Sequence, residues 1–242
     1  MLKRSIPFPI LLLALCVTMF GCTSWFPDHD NNNDCEYNEN GELECAEKGD
    51  IYDNGGAGEA PNIYLYPETA DNISVKLTFV DNAGYFTHTY PEYKDGWNVW
   101  VEPDGLIDGT YDYLYYAGEL RSRFQLMEGW AVEEKDVFRW FEDTLLQMGF
   151  NQNETDDFIG YWVDNLPPSP CYHIYPQDTE LVNAHVAIDI EPVPDTLERM
   201  WFYIDTVDHC EALLEPEEIV PFEREGFTVV EWGVFMPFEE GI

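Results

Sequence analysis

The sequence predicts an α+β fold: a mainly antiparallel β-sheet or sandwich with two consecutive helices packed on it. Three observations carry this. Apolar and polar residues alternate through short segments between 74 and 116, two runs between 133 and 166 repeat at helical spacing, and alternation returns from 184 to 235. A period of two buries one face of a strand, and a period near 3.6 buries one stripe of a helix.

The elements follow in order. In Ser74–Phe79 the side chains of Val75, Leu77 and Phe79 share a face; Asp81 to Gly84 is a turn, and Tyr85–Tyr90 is the return strand, so the pair reads as a hairpin. Trp97–Val101 alternates next and ends at Pro103-Asp104-Gly105, a turn sequence. Tyr111–Tyr116 is a tyrosine-rich strand. From Glu133 to Met148, Val137, Phe141, Leu145 and Met148 form a helical stripe, with Glu133, Glu134 and Asp136 where the helix dipole favours acid and Gly149 at the C′ position. A second helix runs from Glu154 to Asn165 with Phe158, Ile159 and Trp162 inward, Asn153 or Thr155 as its cap, and Pro167-Pro168 as its stop. Ala184, Val186, Ile188 and Ile190 alternate in a strand; Met200–Thr206 and Phe227–Phe235 are the last two.

Ahead of this domain the composition changes twice. Lys3 and Arg4 precede an apolar run from Ile6 to Phe20 of 15 residues, broken early by Pro7 and Pro9. A spanning helix needs about 20 apolar residues, whereas an export signal needs roughly 7–15 behind a basic start. Gly21 then Cys22 gives the small residue and cysteine of a lipoprotein signal, so residues 1–21 read as a lipoprotein signal peptide and Cys22 as the lipidated first residue. Met19 and Phe20 depart from the usual small and leucine positions of that signal. Acyl chains on one cysteine anchor a protein at about 0.8 kcal/mol per buried methylene. The expected location is the cell envelope, with the outer membrane preferred over the inner because Thr23, not Asp, follows the cysteine.

Residues 22–60 read as an acidic tether. Between 23 and 60 there are eleven acids and one base, Lys48, with few apolar residues to offset the entropy of ordering. The run Asn54 to Gly58 reads as a flexible joint. The single globular domain is expected over 61–242.

Cysteine usage agrees with export. With Cys16 inside the signal and Cys22 lipidated, Cys35, Cys45, Cys171 and Cys210 remain, an even number suited to an oxidising compartment. Four cysteines allow three pairings. Asn40-Gly41 midway between Cys35 and Cys45 signals a type I′ hairpin turn, which favours Cys35–Cys45 and Cys171–Cys210.

The formal charge is −37, and loss of Lys3 and Arg4 with the signal makes it two charges more negative. A surface of this sign repels phosphates, which excludes nucleic acid as a partner. Acid spread along the whole chain points to adaptation to high salt, where the Debye length shrinks to about 3 Å at 1 M. The competing explanation is cation binding. Asp28, Asp30, Asn32, Asp34, Glu36 and Glu39 fall at positions 1, 3, 5, 7, 9 and 12 of a calcium loop, so Asp28, Asp30, Asp34 and Glu39 are the candidate Ca²⁺ ligands. Asn33 stands where such a loop needs glycine, and the solvated linker is the simpler reading.

No phosphate-binding glycine loop, no HExxH and no GxSxG occurs. His29, His88, His173, His185 and His209 are scattered, with no pair spaced to share a helix face. What remains is carboxylates beside aromatics. Glu68 and Glu92 each follow Tyr-Pro, Glu119 closes the tyrosine strand, and Glu231 shares a strand face with Phe227 and Val229. Trp97 and Trp232 are the nearby platforms. A carboxylate on an apolar face is either paired with arginine (Arg121, Arg199 or Arg224) or held for chemistry; a glycosidase needs two such carboxylates flanking a sugar.

The segment Asn62-Ile-Tyr-Leu-Tyr-Pro-Glu68, with Ser74-Val-Lys-Leu77, Tyr90-Pro-Glu-Tyr93, Asp95-Gly-Trp97, Tyr113-Leu-Tyr-Tyr116, Phe158-Ile159 with Tyr161-Trp162, and Gly226-Phe-Thr-Val-Val-Glu-Trp-Gly233, resembles an uncharacterised family of bacterial exported domains. The likeness spans roughly 61–235. It implies an exported domain and carries over no activity and no catalytic residues.

Together these readings describe a lipid-anchored envelope protein, a non-enzymatic binding or structural module with the membrane as one partner and an envelope glycan or protein as another. The alternative is a carboxylate-dependent hydrolase of envelope or extracellular glycans. No organic cofactor is expected.

Overall fold

The computed structural model describes residues 35–37, 43–45, 56–121, 124–163, 165–216 and 219–237. Two compact units separate at residue 50. In the first, β1 (Cys35–Tyr37) and β2 (Leu43–Cys45) pair antiparallel, and the register sets Cys35 opposite Cys45. Their bond, the Asn40-Gly41 turn, the calcium-loop residues Asp28, Asp30, Asp34 and Glu39, and the signal with Cys22 lie outside the described residues.

The second unit contains a seven-stranded sheet, a three-stranded sheet and three helices. Its strands are β3 (Gly56–Tyr66), β4 (Asp71–Phe79), β5 (Gly84–Tyr90), β6 (Trp97–Val101), β7 (Leu114–Leu120), β8 (Trp130–Glu133), β9 (Cys171–Gln177), β10 (Val186–Glu191), β11 (Thr196–Val207) and β12 (Thr228–Pro237). The helices are α1 (Val137–Met148), α2 (Gln152–Trp162) and α3 (Thr179–His185). The large sheet runs β5-β7-β3-β12-β11-β9-β8 and the small one β10-β4-β6. Every pair is antiparallel except β11 with β12.

The large sheet is covered on both faces. Toward the small sheet, Ile63, Leu65, Tyr116, Trp201, Tyr203 and Val229 pack with Val75, Leu77, Trp97 and Val99. Toward α1 and α2, Tyr64, Tyr115, Phe202, Val230 and Trp232 pack with Phe141, Leu145, Phe158 and Trp162. This explains the unbroken apolar run Trp201 to Ile204 and the unbroken burial of Phe227 to Phe235, because a strand buried on both faces loses its alternation. The two motifs of the family-like likeness, 62–68 and 226–233, lie largely in β3 and β12, neighbours at the centre of this sheet.

The fold matches the expected class and differs in particulars. Gly56 to Gly58, the end of the run read as a flexible joint, begin β3 and pair with β12 and β7. β4 and β5 do not form a hairpin: β4 lies between β10 and β6, and β5 pairs with β7 in the other sheet. Their link, Val80–Asn82, is a one-turn 3-10 helix with Asp81 and Asn82 both at φ 55°, and the strands meet through the rings of Phe79 and Phe86 at 4.9 Å rather than through backbone hydrogen bonds. α2 is capped by Asn151, whose side chain accepts from Glu154 N while Glu154 accepts from Asn151 N, a reciprocal capping box. The strands β8 and β9 and the helix α3 were not anticipated. Gly149, expected at C′, is there at φ 105°.

Candidate binding groove

The carboxylate that sequence reasoning set apart is structural. Glu231 on β12 is fully buried beside Arg199 on β11, directly opposite in the parallel register. Arg199 Nε donates to Glu231 Oε2 at 2.8 Å and Nη2 to Oε1 at 3.2 Å. The Tyr116 hydroxyl and Trp201 Nε1 each donate to Oε1 at 2.7 Å. Arg199 Nη1 donates to Asn183 Oδ1 at 2.7 Å and to the Val186 carbonyl, which ties the end of α3 to the sheet. Burial and then the Glu231 charge push the Tyr116 phenol well above its ordinary value. Burial alone would lower Arg199, but the adjacent carboxylate holds it up. With its oxygens taken by four donor groups in a packed core, Glu231 has no substrate to meet.

The other expected residues do not converge. Trp97 is core, its Nε1 bound to the Pro91 carbonyl, and Trp232 is core against α2. Neither offers a face to a ligand. Glu68 and Glu92 are exposed in separate loops. Glu119 stands opposite Tyr85 in the β5–β7 ladder, where its hydrogen bond raises the Tyr85 phenol. Among the described residues no group of three His, Cys, Asp or Glu side chains is arranged to hold a metal ion. No helix among them is long and apolar enough to cross a membrane.

A groove of about 460 Å³ opens instead at the outer edge of the large sheet. One wall is the edge strand β8, the second is the start of α1, and the third is residues 210–215 of the 208–227 connection from β11 to β12. Connections longer than about 12–15 residues without secondary structure are uncommon in compact domains and are often functional. This one is pinned along its length. Cys210 is bridged to Cys171 on β9, as expected from the sequence. Gly129 N donates to the Leu214 carbonyl at 2.9 Å. Arg224 forks onto Glu154, whose side chain is fully buried, and its guanidinium lies over Phe222 at 5.0 Å and Tyr66 at 5.6 Å. Gly129 is required at the groove floor: a Cβ there would stand 2.6 Å from the Ile174 carbonyl oxygen.

Two partly buried indoles form the aromatic side of the groove. Trp130 of β8 and Trp140 of α1 have ring centroids 5.1 Å apart and planes tilted by 56°. Glu133, Asp136 and Glu215 stand around them, all exposed. Lys135 pairs with Glu133 at 2.5 Å, with both side chains more than half exposed.

No family model, curated protein or solved structure matches this chain. The groove residues therefore rest on geometry alone. Of the groove side chains, Glu133 and Asp136 stand out in the sequence only as helix-start acids, and Trp130, Trp140 and Glu215 do not stand out. The available signal was Trp140, an aromatic beside the Val137–Phe141–Leu145 stripe, together with a cysteine in a long connection. Neither signal says that the two segments meet.

Proposed function

We propose that this chain is a non-enzymatic recognition module of the cell envelope, anchored by lipid on Cys22, with the groove between β8, α1 and the 208–227 connection as its ligand seat. The observation that carries this is the position of two indoles at the surface of a groove whose long wall is held by a disulfide and by the Arg224–Glu154 pair. Partly exposed tryptophans bring a large contact area at low entropic cost, which suits recognition. A volume of about 460 Å³ falls in the range of small-ligand sites, about 300–1,000 Å³. The export-signal pattern of residues 1–21 and the even number of remaining cysteines support an envelope setting, with the outer membrane preferred. The acidity of the chain, spread over it, supports a high-salt environment.

The test has two arms. Membrane fractionation of the full chain and of Cys22→Ser should find the first with membranes and the second in the soluble fraction. Binding of envelope glycans, peptides and small cations to the full chain should be weakened by Trp140→Ala without loss of the fold, and no probe should be consumed. Release of new reducing ends from a glycan, lost in Asp136→Asn or Glu215→Gln, would replace recognition with the hydrolase alternative.

A further inference from the structure

The groove has a one-sided hydrogen-bonding chemistry. Its lining side chains with polar atoms are three carboxylates, Glu133, Asp136 and Glu215, and the two indoles. No Ser, Thr, Asn, Gln, His, Lys or Arg lines it. Ionised carboxylates only accept hydrogen bonds, and each indole offers one donor. A neutral sugar ring presents hydroxyl groups that both donate and accept, and a peptide presents a carbonyl at every residue. Either would find only the two indoles as side-chain donors and would have to rely on the backbone of the edge strand β8 for the rest, and unmet polar groups are costly to bury. An anion is excluded outright by the carboxylates and by a chain of formal charge −37.

The complement is a ligand that only donates, carries more than one positive charge, and has apolar length between its charges. Ammonium groups fit the first two conditions, since each has three donors and no acceptor. The third comes from the rest of the lining, which includes Ala131, Val132, Ala212 and Leu213. Methylenes pack on such a wall, and ammonium groups are attracted to the face of an indole. Among the described residues Lys135 pairs with Glu133, and its charge also reaches Asp136.

We propose that the groove beside β8 binds an aliphatic polyamine, its ammonium groups held by Asp136 and Glu215 and its methylenes lying against Trp130 and Trp140. This rests on the groove being the ligand seat and goes further by naming the ligand class. The distinction from diffuse attraction is local: any acidic surface gathers polyamines weakly, but this groove places two indoles side by side among its acids.

The experiment is calorimetry and tryptophan fluorescence on the full chain in about 0.3 M NaCl, where exposed charges are largely screened. The probes are spermidine, a glucosamine trimer, its N-acetylated neutral counterpart and trilysine. The expected result is saturable spermidine binding that shifts tryptophan emission. Its Kd should rise at least tenfold in Asp136→Asn/Glu215→Gln and in Trp140→Ala. It should not change in Asp189→Asn/Glu191→Gln, which removes the same charge from the exposed side of β10. Equal weakening in that control would reduce the effect to surface charge and overturn the proposal. Tighter binding of trilysine or the glucosamine trimer would overturn the polyamine assignment. Binding of the N-acetylated trimer at the tryptophans, without spermidine, would overturn the ligand class while the seat stands. If no probe reaches the tryptophans, the seat falls as well.

Discussion

Replacing Arg199 with methionine removes the guanidinium and keeps most of the side-chain volume. Glu231 then remains in a core where both partners have no exposed side-chain surface, with Tyr116 and Trp201 as its only donors. Breaking a buried pair in this way typically costs about 3–5 kcal/mol, because the remaining charge is uncompensated. The Val186 carbonyl and Asn183 Oδ1 also lose their donor, each worth about 1 kcal/mol. Against a total stability of about 5–15 kcal/mol, the loss is a third or more. In urea, with a slope of about 2 kcal/mol/M, the midpoint should fall by about 3 M. The double variant Arg199→Met/Glu231→Leu carries no buried charge and should be less unstable than the sum of the singles by at least about 2 kcal/mol. Both should be measured in about 0.5 M NaCl to screen the acidic surface. A loss below about 1 kcal/mol with an unchanged slope, or strict additivity, would show that the fork does not hold the two sheets and α3 together as argued.

Three further outcomes follow. Cys210→Ser opens a bridge of sequence separation 39; the chain-entropy model gives about 4 kcal/mol for such a loop, so the melting temperature should drop and the groove tryptophans should gain solvent exposure, with unchanged fluorescence quenching counting against a disulfide-held wall. Burial and then the Asp178 charge raise Glu198 from 4.5 to about 7. The folded state therefore keeps a proton that the unfolded state releases, and stability is lost as pH rises from about 4.5 to 7. Urea midpoints at pH 5 and pH 8 should show Glu198→Gln gaining on the parent at the higher pH; a pH-independent difference would contradict this. Gly149→Ala should cost more than about 1 kcal/mol, since the residue sits at φ 105° and the added Cβ would lie 2.9 Å from the Phe222 carbonyl oxygen; thermal melts of Gly149→Ala and Gly149→Asn, the residue that best tolerates a left-handed backbone after glycine, would check it.

Several elements were legible from local spacing. α1 and its Gly149 terminus follow from the Val137–Phe141–Leu145–Met148 stripe, and β4, β6 and β12 follow from alternation or apolar run length. β8 and α3 are four and seven residues long, too short for a period to register. β9 carries His173 and Pro176, which blur its pattern. The β4–β5 hairpin failed because turn residues specify only that the chain reverses, not that the flanking strands pair.

The choice between roles for Glu231 was open in one dimension, since a carboxylate on an apolar face needs either an arginine or a substrate. Arg199 is 32 positions away, and only the parallel register of β11 on β12 sets it opposite. The groove is further from reach, because its walls come from residues 129–140 and 210–215, brought together by the Cys171–Cys210 bridge and the Gly129–Leu214 hydrogen bond. Composition, periodicity and turn chemistry are local properties, so the chain by itself determined its fold class, its helical pair and its excess of acid. Which carboxylates are buried and which face solvent beside an indole depends on contacts between distant segments, and packing alone decided that.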